Sequence, residues 1–323
     1  MAQTAAEKLN CFYNQFSGKN HALIVINADP DAIASAMAVK RLLWRKVSEV
    51  AISNINVVKR PDNIAMVKLL GLDLIHFNKI KLSEFDRFVI VDSQPDHHES
   101  FKLLQPSVVI DHHPVSYYGT GFSDIRPEYG ATATIMSEYL KAAKIKPSVK
   151  LATGLYYAIK TDTNNFVRKT IIEDIRAFQF LYKHANLHLV SRVEQADIKP
   201  GFLKYFSKAL KDKVKIKRKI FVHLDKVINP DVCVLIADFF MRVSSVKWSI
   251  VSGIYNKKLV VIFRNDGASS NAGNIAQKVF GNMGTAGGHK SMARAEIFFD
   301  NVKLDICKEN EILKWIIKQV LKT

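Results

Sequence analysis

Carboxylates follow each of three short apolar runs in the first half of the chain. The runs are Ala22–Ile26, Arg87–Val91 and Ser107–Ile110, and the acidic residues at their ends are Asp29 and Asp31, Asp92, and Asp111. Continuous runs of Val and Ile between polar turns are typical of buried strands in a parallel sheet. Ligands of such sheets bind beyond the carboxyl ends of the strands, so the sequence predicts that these carboxylates converge on one place.

Two imidazoles and a further carboxylate join this set. His112 and His113 directly follow Asp111, and Asp162 ends a helical run. Taken alone, any one of these aspartates is more typical of a turn or a helix cap. Together, several like charges in one crevice repel each other unless a cation neutralises them. Oxygen ligands with imidazole suit Mn²⁺ or Mg²⁺, and histidine favours Mn²⁺. The pattern therefore predicts a metal site suited to water activation and phosphate binding.

Helical patterns separate the apolar runs, and this alternation defines the expected architecture. The helical segments of the first half are Ala32–Lys46, Thr132–Ala143 and Lys150–Lys160. Strands that alternate with helices form βαβ units. We therefore expect the first half to be an α/β domain, a mainly parallel sheet with helices on both faces.

The second half has a different pattern, which predicts a smaller α/β domain. Strands are expected at Lys247–Tyr255, Lys258–Phe263 and Met292–Phe298, helices at Asn271–Phe280 and Glu309–Leu321, and a glycine-rich loop at Gly281–Gly288. The predicted organisation is a first domain over residues 1–190, a helical linker over 191–220 and a second domain over 221–323. A substrate cleft is expected between the two domains.

The composition limits the class of protein. The 323 residues are 48% hydrophobic and 24% charged, which is typical of a globular protein with a substantial core. No stretch approaches the roughly 18 consecutive apolar residues of a membrane span, and no secretory signal pattern begins the chain. Cys11, Cys233 and Cys307 are too far apart to predict a disulfide framework or a metal knuckle. We expect a protein of the reducing cytoplasm without a membrane partner.

A formal net charge of +17 favours anionic partners. Nucleic acids, nucleotides and polyphosphates belong to this class. The densest basic run lies between Lys199 and Lys219, with apolar residues interleaved. We interpret this run as a solvated linker helix with a narrow apolar stripe rather than as a dedicated RNA-binding stripe.

Five ordered motifs resemble those of the DHH phosphoesterase superfamily. They are Asp29–Ser35, Val91–Ser93, Val109–Pro114, Thr161–Thr163 and, in the second half, Gly284–His289, which looks like the GGGH loop of the DHH-associated C-terminal domain. Together they cover almost the whole chain. A second Asp-His-His tripeptide, at residues 96–98, does not directly follow a strand. It is interpreted as a surface loop or a helix start.

The resemblance implies a role for each matching residue. The metal ligands would be Asp29, Asp31, Asp92, His112 and Asp162, with Asp92 bridging two Mn²⁺ ions. The catalytic residues would be Asp31, Asp111 and His113. In this group Asp111 orients the histidines, and His113 faces the metals or the scissile phosphate. The substrate contacts would be Arg264, Gly287, Gly288, His289 and Lys290. Mg²⁺ is the alternative to Mn²⁺.

Two residues depart from the family pattern. Val25 stands where many members have a metal-binding histidine, four residues before Asp29, so one of the two metal sites is expected to be weak. Ala286 replaces a third glycine, which restricts the backbone of the loop at one point.

The resemblance implies an Mn²⁺-dependent hydrolase of the nano-RNase or 3′-phosphoadenosine-5′-phosphate phosphatase type. Its partners would be short nucleotide substrates, namely oligoribonucleotides of a few residues, 3′-phosphoadenosine-5′-phosphate or dinucleotides. A homodimer is compatible with the pattern. Two alternatives stay open, a non-catalytic nucleotide- or RNA-binding protein with a degenerate metal site and an inorganic pyrophosphatase.

Overall fold

The computed structural model describes residues 3–58, 60–119, 121–168, 170–194, 200–268, 270–299 and 309–322. The chain divides into two compact units, Met1–Asp197 and Ile198–Thr323. Lys199 and Cys307, which the sequence analysis names, lie outside the described residues. None of the described helices combines the length and the apolar character that a membrane crossing requires.

A six-stranded parallel sheet forms the centre of the first unit. Its strands are β1 (His21–Ile26), β2 (Glu49–Asn54), β3 (Ile75–His76), β4 (Arg87–Val91), β5 (Val108–Asp111) and β6 (Phe122–Ile125). Their spatial order is β3-β2-β1-β4-β5-β6, and every pair is parallel. The order reverses between β1 and β4, which is the switch point at which such sheets bind ligands. The predicted parallel sheet is confirmed.

Helices pack on both faces of this sheet. They are α1 (Ala5–Tyr13), α2 (Pro30–Leu43), α3 (Pro61–Leu70), α4 (Glu99–Lys102), α5 (Thr132–Ala142), α6 (Val149–Asp162), α7 (Ile172–Tyr182) and α8 (Leu187–Glu194). Along β1, Ile24 and Ile26 face the cluster that holds the longer helices, whereas Leu23 and Val25 face the cluster that holds α4. Each of these fully buried side chains contributes about 1.5–3 kcal/mol, so both faces hold the sheet.

Local chemistry at the end of β1 sets the start of α2. The side chain of Asp29 caps the helix by accepting a hydrogen bond of 3.0 Å from the Ala32 amide. Pro30 occupies the first helical position, where no backbone N–H is needed. Asp31 lies in the first turn, where the helix dipole favours a carboxylate. The strand end and the helix start thus bring two carboxylates to the switch point.

The second unit contains a mixed sheet between two helical layers. Its strands are β7 (Val214–Ile216), β8 (Lys219–Lys226), β9 (Trp248–Tyr255), β10 (Lys258–Asn265), β11 (Gly284–Gly288) and β12 (Met292–Phe298), in the order β11-β12-β10-β9-β8-β7. Among the strand pairs that the structure describes in this sheet, β8 and β9 are parallel and the other pairs are antiparallel. The helices are α9 (Leu203–Asp212), α10 (Asp231–Phe240), α11 (Ala272–Phe280) and α12 (Glu309–Leu321). One core lies against α9 and α10, and a second lies against α11 and α12. The expected α/β character of this half is confirmed.

Two segments differ from the expected secondary structure. Residues 284–288, expected in a glycine-rich loop, form edge strand β11. A Cβ at Gly284 would overlap the carbonyl oxygen of Glu296, so glycine is what lets these two strands approach. Within 191–220, expected to be a helical linker, α9 packs into the second unit through Tyr205 and Ala209. The chain then continues as strand β7, because apolar side chains on this segment find a core to join.

Candidate metal centre

Four predicted ligands meet around one imidazole nitrogen. The Nε2 atom of His112 lies 3.1 Å from Asp162 Oδ2, 3.6 Å from Asp92 Oδ1 and 3.9 Å from Asp31 Oδ2. These residues come from the ends of β1, β4, β5 and α6, over more than a hundred positions of sequence. The convergence at the carboxyl edge of the sheet is therefore the one that the strand-end positions predict.

The His112 ring is oriented so that Nε2 is available. Its Nδ1 lies 3.2 Å from the Tyr129 carbonyl oxygen, which can only accept a hydrogen bond, so Nδ1 carries the proton. Nε2 is buried and makes no hydrogen bond of acceptable geometry in the described part of the chain. In the neutral imidazole this atom presents a lone pair to three carboxylates, an arrangement that a cation stabilises.

The donor atoms form two overlapping groups. One contains Asp92, His112 and His113, and the other contains Asp31, His112 and Asp162; within each group the donor atoms lie within 4.8 Å of one another. Carboxylate oxygens with imidazole nitrogens and no thiolate suit Mn²⁺ or Mg²⁺. The buried, unpartnered Nε2 and this donor set together fit a divalent cation.

Asp31 is held by the N-terminus of α5. Its two carboxylate oxygens accept hydrogen bonds from the backbone amides of Thr132 (2.7 Å) and Ala133 (2.8 Å). The Ser35 hydroxyl donates a third bond of 3.2 Å. Burial and the charge of Asp162 nevertheless raise the pKa of Asp31 to about 7. A fully buried carboxylate with a pKa this high is a group that a bound cation would hold in its ionised form.

Asp92 combines burial with an uncommon backbone conformation. Its φ is +59°, a left-handed value that few residues other than glycine adopt. The Thr132 hydroxyl donates a 2.8 Å hydrogen bond to Oδ1, the oxygen that faces His112. Burial, followed by the charges of Asp31 and Asp29, raises the pKa of Asp92 well above its usual range. The left-handed turn after β4 thus keeps this carboxylate among its like-charged neighbours.

Asp29 lies at the exposed rim of the cluster. Its carboxylate caps α2, and loss of surrounding water together with the charge of Asp162 raises its pKa to about 6. For His112, burial opposes protonation, but contact with Asp162 and the charge of Asp31 raise its pKa to about 9. The raised pKa values show that these carboxylates need more positive charge than the protein supplies to stay ionised, and a bound cation would provide it.

Asp111 points its carboxylate at the two histidines that follow it. One oxygen accepts bonds from the His112 amide (2.9 Å) and from His113 Nδ1 (2.8 Å). Burial alone would raise the pKa of Asp111, but the bond and charge of His113 outweigh it and hold this pKa below its usual value. The hydrogen bond that His113 donates to Asp111 in turn raises the pKa of His113, whose side chain is 40% exposed.

Gln94 is a site residue that the sequence analysis missed. Its fully buried amide donates to Asp111 Oδ2 (2.6 Å) and to the Pro114 carbonyl (3.0 Å). Its Oε1 accepts from the backbone amides of Ser116 (2.8 Å) and Tyr117 (3.0 Å). One side chain therefore fixes both Asp111 and the loop that carries the two histidines. Asp-Ser-Gln-Pro in sequence gives no signal of this role.

Replacing Gln94 with Met, which is similar in size and makes no hydrogen bonds, is expected to weaken Mn²⁺ binding about 10–100-fold. The reason is that Asp111 Oδ2 loses the hydrogen bond from Gln94, and the loop amides of Ser116 and Tyr117 lose their acceptor. Isothermal titration calorimetry with Mn²⁺ measures the effect. Gln15→Met, which removes a local bond to Cys11, is the matched control. Equal Mn²⁺ affinity of a folded Gln94 variant and the control would contradict this role.

Asp174 fixes the loop that leads into α5. Its carboxylate accepts hydrogen bonds from the Gly130 amide, the Ile171 amide and the Thr134 hydroxyl, the last at 2.6 Å. A Cβ at Gly130 would lie 2.8 Å from this carboxylate, so only glycine fits there. The loop delivers Tyr129 to His112 and α5 to Asp31, which makes Asp174 a support of the cluster.

The other Asp-His-His tripeptide has a different environment. Residues 95–97 form a 3₁₀ turn, and His98 caps α4 by accepting a bond from the Ser100 amide. The interpretation as a helix start is confirmed for His98. The His97 ring is not isolated, because it lies edge-on to His113 with 5.7 Å between ring centroids. Val25, the departure from the family pattern, is fully buried with Leu23 and Phe101.

The predicted substrate residues lie in the second unit. Arg264 is paired with Met292 across β10 and β12, and Gly288 is paired with Ala293, so they share one end of this sheet. The Arg264 guanidinium donates a 2.6 Å bond to Asp238. Gly287 lies on β11 with open space around it, and Gly288 has a φ of +151°.

The carbonyls of His289 and Lys290 cap the first turn of α11. They accept from the amides of Gly273 (3.0 Å) and Ala272 (2.8 Å), and the His289 amide donates to the Met292 carbonyl at 2.7 Å. The backbone amide of His289 is therefore engaged within the strand end. The side chains of both residues are exposed.

Comparison with known proteins agrees with this architecture. Residues 21–159 match the model of the DHH family, N-terminal domain. An uncharacterized protein of Methanocaldococcus jannaschii is 30% identical over 300 residues, which cover 92% of this chain and 61% of that protein. The chain thus spans less than two thirds of the length of this curated relative.

Two solved structures share the fold. An exopolyphosphatase-related protein from Bacteroides fragilis aligns with a TM-score of 0.74 and 15% identity, covering 98% of this chain and 96% of that one. Exonuclease RecJ bound to manganese aligns with a TM-score of 0.53 and 12% identity, covering 99% of this chain and 94% of that one. At these identities the likeness is one of fold.

Proposed function

This chain belongs to the DHH phosphoesterase superfamily, and on that premise we propose that it is an Mn²⁺-dependent phosphoesterase that hydrolyses short nucleotide substrates. The observation that carries the proposal is the buried Nε2 of His112, which faces Asp31, Asp92 and Asp162 without a hydrogen bond among the described residues. A cluster of this kind is costly unless a cation occupies it, and cation sites of this chemistry serve phosphoryl chemistry.

The proposed ligands are Asp29, Asp31, Asp92, His112 and Asp162. When bound, a divalent cation supplies acidification of water and neutralisation of phosphate charge. The contribution of the chain is to hold these donors before the cation arrives. Thr132 fixes Asp92, the start of α5 fixes Asp31, and the Tyr129 carbonyl fixes the His112 ring.

We assign His113 the handling of the proton. Its Nδ1 is held by Asp111, which leaves Nε2 for a phosphate oxygen or for the leaving oxygen of the ester. The hydrogen bond to Asp111 raises the pKa of His113 and so favours the protonated ring, the form that donates. Gln94 and Asp111 keep the ring in place, so the donor is oriented before substrate binds.

In the second unit, we assign substrate binding to the cationic and glycine positions at one end of the sheet. They are Arg264, Gly287, Gly288, His289 and Lys290. The exposed side chains of His289 and Lys290 supply positive charge for a phosphate. Arg264 would keep its bond to Asp238 while its remaining N–H groups contact substrate. The net charge of +17 agrees with an anionic substrate.

A substrate panel with Mn²⁺ tests this function. It contains a labelled RNA dinucleotide, a five-residue RNA, 3′-phosphoadenosine-5′-phosphate, cyclic di-AMP and pyrophosphate. We expect release of mononucleotides or AMP, abolished by EDTA and by Asp31→Asn. Phosphate release from pyrophosphate alone would replace the proposal with a pyrophosphatase. Tight Mn²⁺ binding without turnover of any compound would replace it with a non-catalytic binding protein.

A further inference from the structure

A strongly basic segment runs along one edge of the second unit. Residues 200–219 contain seven lysines, one arginine and a single aspartate, a large part of the net charge of +17. Five of these cations are exposed and consecutive along the edge, and we call them the basic edge. They are Lys211, Lys213, Lys215, Lys217 and Arg218.

The backbone places these cations on an extended edge. Lys213 directly precedes β7, the terminal strand of the sheet, and Lys215 lies within it. The two lysines alternate with the partly buried Val214 and Ile216. Side chains two positions apart in a strand share a face and lie about 6.6 Å apart along it. Lys217 and Arg218 continue the series through the turn into β8. The result is a row of positive charges rather than a single cluster.

The neighbouring carboxylates are paired with lysines outside the basic edge. Asp212 and Asp225 are both bound by Lys208. Asp266, which is near enough to Arg218 for that charge to lower its pKa, is ion-paired with Lys247 at 3.3 Å. Lys213 and Lys215 donate only to neutral oxygens, the Leu210 carbonyl and the Ser245 hydroxyl, each at 2.7 Å. Among the residues that the structure describes, no carboxylate lies within ion-pair distance of the five cations. The row is therefore held in place and still presents its charge to solvent.

The basic edge is distinct from the proposed substrate residues. In the sheet order, β7 and β11 are the two opposite edges. Five strand spacings of about 4.8 Å separate them, or about 24 Å. A dinucleotide at the end of the sheet near β11 does not reach β7, whereas a longer strand does.

The sequence pattern alone favours a solvated linker helix for this run, but the structure places part of it on edge strand β7. We therefore propose that the basic edge is a docking surface for the phosphates of single-stranded RNA. An extended row of exposed lysines matches a linear polyanion, and such surfaces bind the backbone without regard to sequence. A membrane fits less well, because neither apolar residue of β7 is exposed: Ile216 packs against a core and Val214 is half-buried. This binding goes beyond the proposed hydrolysis and does not require it.

The test is RNA binding by the charge-reversal variant Lys213→Glu, Lys215→Glu, Lys217→Glu. Fluorescence anisotropy with a labelled oligouridylate of about 12 nucleotides is measured in EDTA, so that no turnover occurs, over a series of KCl concentrations. We expect affinity to fall at least about 10-fold at low salt. The slope of log affinity against log salt should flatten by about 2, at roughly 0.7 per lost phosphate contact.

Two matched variants distinguish an effect of the charges at the basic edge from an effect of the net charge of the protein. Lys146→Glu, Lys257→Glu, Lys314→Glu changes the net charge equally at three exposed lysines elsewhere, and we expect it to retain affinity. The triple Arg variant of the basic edge should also retain it. Equal losses in both Glu triples, or none in either, would overturn the proposal. If the Glu variant fails a circular dichroism check, the triple Gln variant replaces it. Unchanged turnover of a dinucleotide by the edge variant keeps this result separate from the proposed function.

Discussion

Replacing Asp92 with Asn is expected to lower kcat for phosphoester hydrolysis by on the order of 1000-fold, and to raise the unfolding temperature of the metal-free protein. The loss follows because the Asp92 carboxylate faces His112 Nε2 at 3.6 Å and belongs to the proposed ligand set. The unfolding temperature rises because Asp92 is buried near Asp31 and Asp29, so its charged form is unfavourable without a cation. An asparagine oxygen still accepts the bond from Thr132, so the fold is retained.

The control is Asp96→Asn in the other Asp-His-His tripeptide. Asp96 is exposed and bonds only the Ser116 hydroxyl in the described contacts, so its replacement should leave turnover within about two-fold. Thermal unfolding in EDTA and steady-state kinetics with Mn²⁺ measure the two effects. Equal turnover by the Asp92 and Asp96 variants would remove Asp92 from the reaction. If the metal-free Asp92 variant unfolds at a lower temperature than the unmutated protein, the proposed repulsion between Asp92 and its neighbouring carboxylates is refuted.

The stability of the metal-free protein is expected to fall as pH rises from about 4 to 9, relative to a variant with Asp31→Asn and His112→Gln. For Asp31 the folded pKa, about 7, exceeds the unfolded value near 4. The destabilisation by ionised Asp31 is therefore absent below pH 4 and complete above pH 7. The pKa of His112 is also raised, to about 9, so its stabilisation is full below about 6.5 and lost by 9.

Mn²⁺ should reverse this trend. Ligands must lose their protons to bind the cation, so the increase in unfolding temperature on adding Mn²⁺ should grow with pH and nearly vanish near pH 5. Differential scanning fluorimetry at fixed Mn²⁺ and in EDTA, over pH 5 to 9, measures both trends. A metal-free difference that rises with pH, or an Mn²⁺ effect that is independent of pH, would contradict the assignment of these groups.

The parallel sheet could be predicted because buried strands leave a plain pattern. Ala22–Ile26 and Arg87–Val91 are nearly continuous apolar runs, and a strand covered on both faces requires such a run. Strand β3 has two residues, and β6, at the sheet edge, has only two apolar residues with two polar ones between them, so neither was predicted. Helix α10 is apolar on most positions, which hides the helical period.

The sequence predicted the candidate metal ligands, but it did not predict the residues that hold those ligands in place. Asp29, Asp92 and Asp111 lie at the ends of strands, and the apolar run that precedes each of them predicts that position. Gln94, Thr132 and Asp174 act on partners 17 to 101 residues away, through loops whose path no local pattern encodes. The strand at 284–288 was missed for a similar reason, because its glycines favour turns in general and here allow close strand approach.

The measurement that tests the central claim most directly is the anomalous scattering of Mn²⁺ in crystals of this protein. We predict a peak within coordination distance of His112 Nε2 and of carboxylate oxygens from Asp31, Asp92 and Asp162, and its loss in the Asp92→Asn variant. Absence of a peak at this cluster, in crystals grown with Mn²⁺ near pH 8, would contradict the assignment of a metal centre and the hydrolysis proposed from it.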